Sequence, residues 1–145
     1  MIIGIPKLLL GLVMAVARPH GLPTGIYSSI NGMDRFFFAI ATVESNCDDS
    51  VTADGGRSIG RYCIMRAYFV DSGVPGRYEQ VRDKAYAERV MLGYWQRYCP
   101  QSLKNGDFET LARVHNCGAT LWLRDRARAI TATNGYWMKV RKKLK

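Results

Sequence analysis

The chain has 145 residues and a formal net charge of +9 at pH 7. This length suits one domain with a sizeable core, and a content of 48% hydrophobic and 23% charged residues excludes an intrinsically disordered protein. The excess of positive charge favours an anionic partner, for which a bacterial cell wall, a nucleic acid and an acidic membrane surface are the alternatives.

The chain opens with an apolar segment, residues 1–17, whose longest uninterrupted apolar run is residues 8–17. That run is shorter than the ~20 residues that a membrane span needs, and it ends in the small-x-small pattern of a signal peptide. We interpret residues 1–17 as a signal or membrane-anchor segment; a helix packed on the domain is the alternative. Residues 18–32 are punctuated by Pro and Gly and predict a linker, so the domain is expected at residues 33–145.

The first predicted helix of the domain carries one carboxylate at its end. Asn31 and Asp34 predict an N-cap and its reciprocal partner. Phe37, Ile40 and Glu44 then recur at helical spacing, so Glu44 shares a face with core residues. Partial burial would favour the neutral form of such a carboxyl, which is the form that a general acid needs. The alternative is a glutamate in the last turn that points to water.

A polar loop follows, with three aspartates and three nearby glycines: Asp48, Asp49, Asp54, Gly55, Gly56 and Gly60. The glycines would let the backbone approach a ligand closely, although an ordinary surface loop has the same composition. The spacing of the acids does not fit a calcium-binding loop.

The rest of the chain predicts further helices. Residues 59–71 indicate either a helix or a short strand and turn followed by a helix, with Ile64, Ala67 and Tyr68 on its buried face. Residues 78–98 predict one long core helix that ends before Pro100.

Two more helices complete the chain. Asp107 is expected to cap a short helix that runs through Val114. Residues 133–145 predict a final basic helix, with Tyr136 available for the core. Its cationic tail is interpreted as a solvated face that could also hold the protein on an anionic polymer.

The four cysteines show no C-x-x-C pair and no spacing typical of a zinc site, so no metal is expected. In an exported protein one or two disulfides are expected, whereas in a cytosolic protein all four would be free thiols.

Four short motifs in order carry a family resemblance: VESNC, DGGRSIGRYCI, LARVHNCG and GYWMKV, which begin at residues 43, 54, 111 and 135. Together they resemble the lysozyme-like superfamily, above all the invertebrate-type (destabilase) lysozymes and the phage or bacterial proteins related to soluble lytic transglycosylases. The resemblance covers residues 35–144. It implies a mainly α (α+β) lysozyme-like fold, in which a catalytic helix is followed by a small β-hairpin at residues 51–59 and a helical bundle.

The resemblance also implies roles for individual residues. Glu44 matches the catalytic acid, and Asp54 is the best positional match for a second acid. The substrate-binding positions that it implies are Ser58, Gly60, Tyr62, His115 and Asn116.

Two cysteines depart from the family's pattern. Cys63 stands where relatives usually have Gln, and Cys117 stands where they usually have Gly or Ala. Losing the amide puts activity in doubt but not the fold. Since both positions would face the cleft in the implied fold, a Cys63–Cys117 disulfide is one expectation.

The function that the resemblance implies is a peptidoglycan-cleaving glycosidase, a lysozyme or a lytic transglycosylase. It would act on the β-1,4 bond between N-acetylmuramic acid and N-acetylglucosamine, with glycan strands as its partner and no cofactor. The alternative is a catalytically weak or inactive protein of the same fold that binds cell wall or is structural, such as a phage virion component. We further expect a monomer that is secreted, periplasmic or phage-associated, with no nucleic acid partner and with transient membrane contact through the N-terminal segment.

Overall fold

The computed structural model describes residues 32–145. The expected signal segment, nearly all of the linker and the expected cap at Asn31 lie outside the described residues.

The first helix, α1, spans Met33–Ser45 and starts after Gly32, whose φ of 96° is a left-handed conformation that suits glycine. No side chain caps this start. The buried residues of α1 are Met33, Phe36, Phe37, Ala39, Ile40 and Ala41. The apolar face that the spacing predicts is therefore the face that packs on the core.

A small antiparallel sheet follows α1. Strand β1 is Thr52–Ala53, β2 is Ser58–Ile59 and β3 is Ile64–Met65, in the spatial order β1-β2-β3. A 3₁₀ turn at Asp54–Gly56 joins β1 to β2. Thr52 pairs with Ile59 across β1 and β2, which confirms the hairpin expected at residues 51–59.

Helix α2, Arg66–Ser72, starts directly after β3, so the strand-then-helix alternative for residues 59–71 is the right one. Ile64 and Tyr68 are buried as predicted, but Ala67 is exposed and its predicted burial is wrong. The difference follows from that strand, because a single helical period through residues 64–68 does not exist when Ile64 lies in an extended segment.

The single long helix predicted for residues 78–98 is also wrong. A 3₁₀ helix at Tyr78–Arg82 is followed by α3 at Lys84–Tyr98. Asp83 separates them because its extended backbone lets its side chain accept a hydrogen bond from the Tyr86 amide, at 2.8 Å, and so cap α3.

Three helices complete the fold: α4 at Pro100–Asn105, α5 at Phe108–Arg124 and α6 at Arg126–Leu144. Asp107 caps α5 as predicted, with its side chain accepting from the Thr110 amide. The helix does not stop at Val114, however, because the chain breaks only locally at Gly118, where φ is 77°, and then resumes its helical path. The last helix starts earlier than predicted, since Asp125 caps it by accepting from the Arg128 amide.

The core lies where α1, α3, α5 and α6 meet. Phe36 of α1 stacks on Phe108 of α5, with ring centroids 4.5 Å apart, and lies 5.7 Å from the Trp95 ring of α3. Helix α6 packs against both α1 and α5 and buries Trp137 and Val140. The fold is mainly helical with one small sheet, as predicted. Within residues 32–145, no helix is long and apolar enough to cross a membrane.

Candidate active site

Glu44 lies in the last turn of α1, and its side chain is only 17% exposed. The helix ends immediately afterwards because Asn46 adopts a left-handed conformation, with φ of 56°. Since Ile40 and Ala41 on the same face are buried, the helix directs Glu44 toward the body of the protein. A carboxylate is thus held largely away from water beside an apolar core.

One titratable neighbour of Glu44 is His115 of α5. Its Nε2 lies 3.6 Å from Glu44 Oε1, and the imidazole is 4% exposed. The same Nε2 lies 3.1 Å from the Tyr62 carbonyl oxygen, and Nδ1 lies 3.2 Å from the Tyr68 hydroxyl. Burial lowers the pKa of His115 from its usual 6.5, although the Glu44 charge and the Tyr62 carbonyl act against this shift.

These contacts fix the tautomer of the neutral ring. A backbone carbonyl can only accept, so Nε2 must carry the proton that it donates to Tyr62. Nδ1 then accepts from the Tyr68 hydroxyl. Glu44 Oε1 therefore lies 3.6 Å from the protonated nitrogen of a neutral imidazole.

Tyr136 of α6 lies on another side of Glu44. Its hydroxyl oxygen is buried, and among the described residues it has no partner within hydrogen-bond distance. Burial first, and then the negative charge of Glu44, hold the pKa of Tyr136 well above its usual value. A neutral phenol thus lies next to the Glu44 carboxyl, close enough to interact with it but beyond strict hydrogen-bond distance.

The second predicted acid, Asp54, lies in the turn of the hairpin. Its backbone has a φ of 53°, and one carboxylate oxygen accepts a 2.8 Å hydrogen bond from the Ser58 hydroxyl. Asp54 is exposed, whereas Ser58 is fully buried. Ser58 therefore fixes the position of a solvent-facing carboxylate.

Cys63 connects the two acids. Its thiol lies 3.7 Å from the Glu44 carbonyl oxygen, and burial, Glu44 and Asp54, in that order, raise its pKa to about 11. Both carboxyl groups are therefore close enough to raise the pKa of the same thiol. This thiol stays protonated at neutral pH. Cys63 and Cys117 are both free thiols, so the expected disulfide between them is not formed.

The other two loop acids serve the loop itself. Asp49 accepts two hydrogen bonds from Arg61, at 2.5 and 2.7 Å, and Asp48 accepts two from Ser50. The pKa of each carboxyl is lowered, chiefly by these hydrogen bonds. These contacts make Asp48 and Asp49 parts of the loop's scaffold.

Arg82 holds the same loop from the other side. Its Nη1 donates to the carbonyls of Asp49, Ser50 and Val51 at 2.7–3.2 Å, and its Nη2 donates to the Thr52 hydroxyl at 3.0 Å. One guanidinium thus fixes four consecutive residues that lead into the hairpin carrying Asp54.

The remaining predicted positions have different surroundings. Gly60, with φ of 75°, packs so closely that an added Cβ would meet the Val81 carbonyl oxygen at 2.6 Å. Tyr62 is 1% exposed and donates to Glu88 at 2.6 Å, so its hydroxyl serves the core while its carbonyl holds His115. Asn116 follows His115 on α5 and is exposed, and its side chain has no hydrogen-bond partner among the described residues.

Sequence reasoning missed Tyr136 and Arg82. The GYWMKV motif contained Tyr136, but helical spacing alone suggested only a core residue. No local signal marks Arg82, because its partners lie 30–33 positions earlier in the chain. Among residues 32–145, no group of three or more His, Cys, Asp or Glu side chains is placed to hold a metal ion.

Comparisons with known proteins bear on the relationships and the fold of the chain. No family model matches the chain. Lysozyme 1 of Crassostrea virginica is 30% identical over 129 residues, a match that covers 84% of this chain. The chain spans 65% of the length of that relative. A chain in the crystal structure of Aeromonas hydrophila PliI in complex with Meretrix lusoria lysozyme is 28% identical, with a TM-score of 0.57, over 74% of this chain and 87% of that one.

The sequence match and the structural match both point to the group of proteins that the four motifs suggested. The mainly helical fold with its small three-stranded sheet agrees with that group. The chain is related to the invertebrate-type lysozymes and has a lysozyme-like fold.

Proposed function

We propose that the protein cleaves the glycan strands of peptidoglycan at the β-1,4 bond after N-acetylmuramic acid, with Glu44 as the general acid. The observation that carries this proposal is the placement of Glu44. Its carboxyl is mostly shielded from water and lies against two neutral groups, the His115 imidazole and the Tyr136 phenol. A carboxylic acid can donate a proton to a glycosidic oxygen, which is the step that starts cleavage of the bond.

The reaction also needs a negative or nucleophilic group, since an oxocarbenium-like centre develops as the bond breaks. Asp54 is our candidate for that group. Two observations support this choice. Asp54 accepts a 2.8 Å hydrogen bond from Ser58, and it raises the pKa of Cys63 together with Glu44. With Asp54 in this role the reaction is hydrolysis, as in a lysozyme. Without it, the acetamido group of the sugar itself would act and the product would be an anhydro sugar, as in a lytic transglycosylase.

Clearing of purified peptidoglycan by the Glu44→Gln variant tests the proposal. We expect clearing to be lost while the circular dichroism spectrum and Tm stay close to those of the parent protein, because Gln has nearly the same size. Glu79→Gln is the matched control, since Glu79 is 66% exposed and makes only a 3.5 Å ion pair with Arg66. Undiminished clearing by Glu44→Gln would refute the general-acid role.

The products separate the two forms of the reaction. Mass spectrometry of the released muropeptides should show hydrolysed, reducing ends if Asp54 acts. In that case Asp54→Asn should reduce the rate strongly. Anhydro products, together with an active Asp54→Asn variant, would show that the reaction is a transglycosylation and not a hydrolysis.

One observation favours a second candidate, a protein that binds cell wall without cleaving it. A protonated Cys63 thiol stands beside both acids at the position where the resemblance implies a glutamine amide. A thiol is a weak donor and cannot replace an amide in holding a sugar. Retention on peptidoglycan without clearing, in both the parent protein and Cys63→Gln, would support this candidate.

A further inference from the structure

We propose that the exposed cationic face at the C-terminal end of α6 is a docking surface for an anionic phospholipid bilayer. The surface consists of Met138, Lys139, Arg141, Lys142, Lys143 and Lys145, all of which are exposed. We call it the α6 cationic face.

Positive charge is concentrated in this part of the chain. Residues 124–145 contain eight Lys and Arg residues and one acid, Asp125, and so contribute +7 of the net charge of +9. Asp125 lies at the opposite end of α6, where its side chain caps the helix. The α6 cationic face therefore has no acid of its own helix near it.

The cations of this face are not used by the fold. The core-facing side of the helix is formed by Ala129, Thr133, Trp137 and Val140, which are buried. Among residues 32–145, no ion pair includes a side chain of the α6 cationic face. The neighbouring start of α1 adds a further cation, Arg35, whose guanidinium donates to the Lys145 carbonyl oxygen at 3.0 Å. The acid beside it, Asp34, is exposed and forms no ion pair with a described residue.

Two features favour a lipid surface over a soluble polyanion. Met138 is 54% exposed between these cations, so an apolar side chain is available to enter the interfacial region while long cationic side chains reach the headgroups. The contact between Arg35 and Lys145 also brings the start of α1, the first described helix, to this end of α6. The sequence that precedes this helix includes the apolar run at residues 8–17, and an apolar segment combined with a polybasic patch is a typical two-part membrane anchor.

The surface is separate from the candidate active site. Arg35 and Glu44 are nine positions apart in the same helix, which corresponds to about 14 Å along its axis. Docking through the α6 cationic face therefore does not require contact with the end of α1 that carries Glu44.

Co-sedimentation of the full chain with vesicles tests the proposal. One set of vesicles contains only phosphatidylcholine, and the other also contains phosphatidylglycerol. We expect binding to the anionic set alone, weakening as salt is added. Each cation near such a surface contributes about fivefold in affinity, so the variant K139Q/K142Q/K143Q should bind about a hundredfold more weakly.

The control variant K84Q/R89Q/K104Q removes the same amount of charge from exposed positions on α3 and α4. It should bind nearly as well as the parent protein, and both variants should retain the parent's activity on soluble peptidoglycan fragments, since none of these residues lies at the site. Equal losses in both variants would show that net charge alone acts and would overturn the proposal. Absence of binding to anionic vesicles, or tighter binding to DNA or soluble polyphosphate than to vesicles, would also overturn it.

Discussion

Removing the Tyr136 hydroxyl should stabilise the protein and impair its activity at the same time. The Tyr136→Phe substitution deletes one buried oxygen that has no partner within hydrogen-bond distance among the described residues. A buried hydroxyl without a partner costs roughly 1–3 kcal/mol relative to its hydrated state. Since Phe has the same shape, we expect the free energy of unfolding to rise by about 1 kcal/mol, which corresponds to a rise in Tm of about 4 °C for a domain of this size.

The expected loss of activity comes from the position of the phenol beside Glu44. A phenol can donate to the carboxylate that remains once Glu44 has given its proton to the leaving group. A hydrogen bond to a charged group contributes about 1.5 kcal/mol or more, so kcat should fall roughly tenfold.

Thermal unfolding and the rate of peptidoglycan clearing measure the two effects. Tyr86→Phe is a control in which stability should change in the opposite direction, because the Tyr86 hydroxyl donates a hydrogen bond to the Pro75 carbonyl oxygen at 3.0 Å. That variant should be destabilised by about 1 kcal/mol and should keep its kcat. If Tyr136→Phe behaved like this control, the reasoning about an unpartnered hydroxyl at the acid would be refuted.

Three further predictions follow from the same structure. Burial lowers the pKa of His115 below 6.5, so the unfolded chain takes up a proton at this residue more readily than the folded protein does. The free energy of unfolding should therefore fall as the pH drops from 7 to about 5. Chemical denaturation of His115→Gln should show a smaller fall over the same range. Gly60→Ala should cost about 2 kcal/mol or more, whereas Gly55→Ala, with a similar φ of 66° but nothing within 4 Å of the added Cβ, should cost only about 1 kcal/mol. Arg82→Met should speed hydrogen exchange in residues 49–53 and lower kcat/KM, while an unchanged exchange rate would show that the loop holds its shape without the guanidinium.

Local patterns were sufficient to predict the elements that depend on neighbouring residues. The apolar spacing from Phe37 to Ile40 identified the buried face of α1, and Asp107 identified the start of α5. The hairpin around Asp54 was also expected, though from the family resemblance and not from periodicity.

The wrong predictions arose where a side chain caps a helix within an apolar stretch, or where a contact between distant parts of the chain decides the structure. Asp83 has a side chain that caps α3 and so divides a segment whose apolar spacing looked continuous. The placement of Tyr136 beside Glu44 depends on how α6 packs along α1, which joins residues 92 positions apart. Periodicity reports which face of a helix is buried, but not which distant helix that face will meet.

The four unpaired cysteines bear on how the protein can be produced. Cys99 is buried, and the thiols of Cys63 and Cys117 are partly enclosed with pKa values raised by burial, so they react slowly as nucleophiles. No disulfide holds the described domain together. Its yield from a reducing bacterial cytoplasm should therefore equal its yield from an oxidising host, and dithiothreitol should leave its melting curve unchanged.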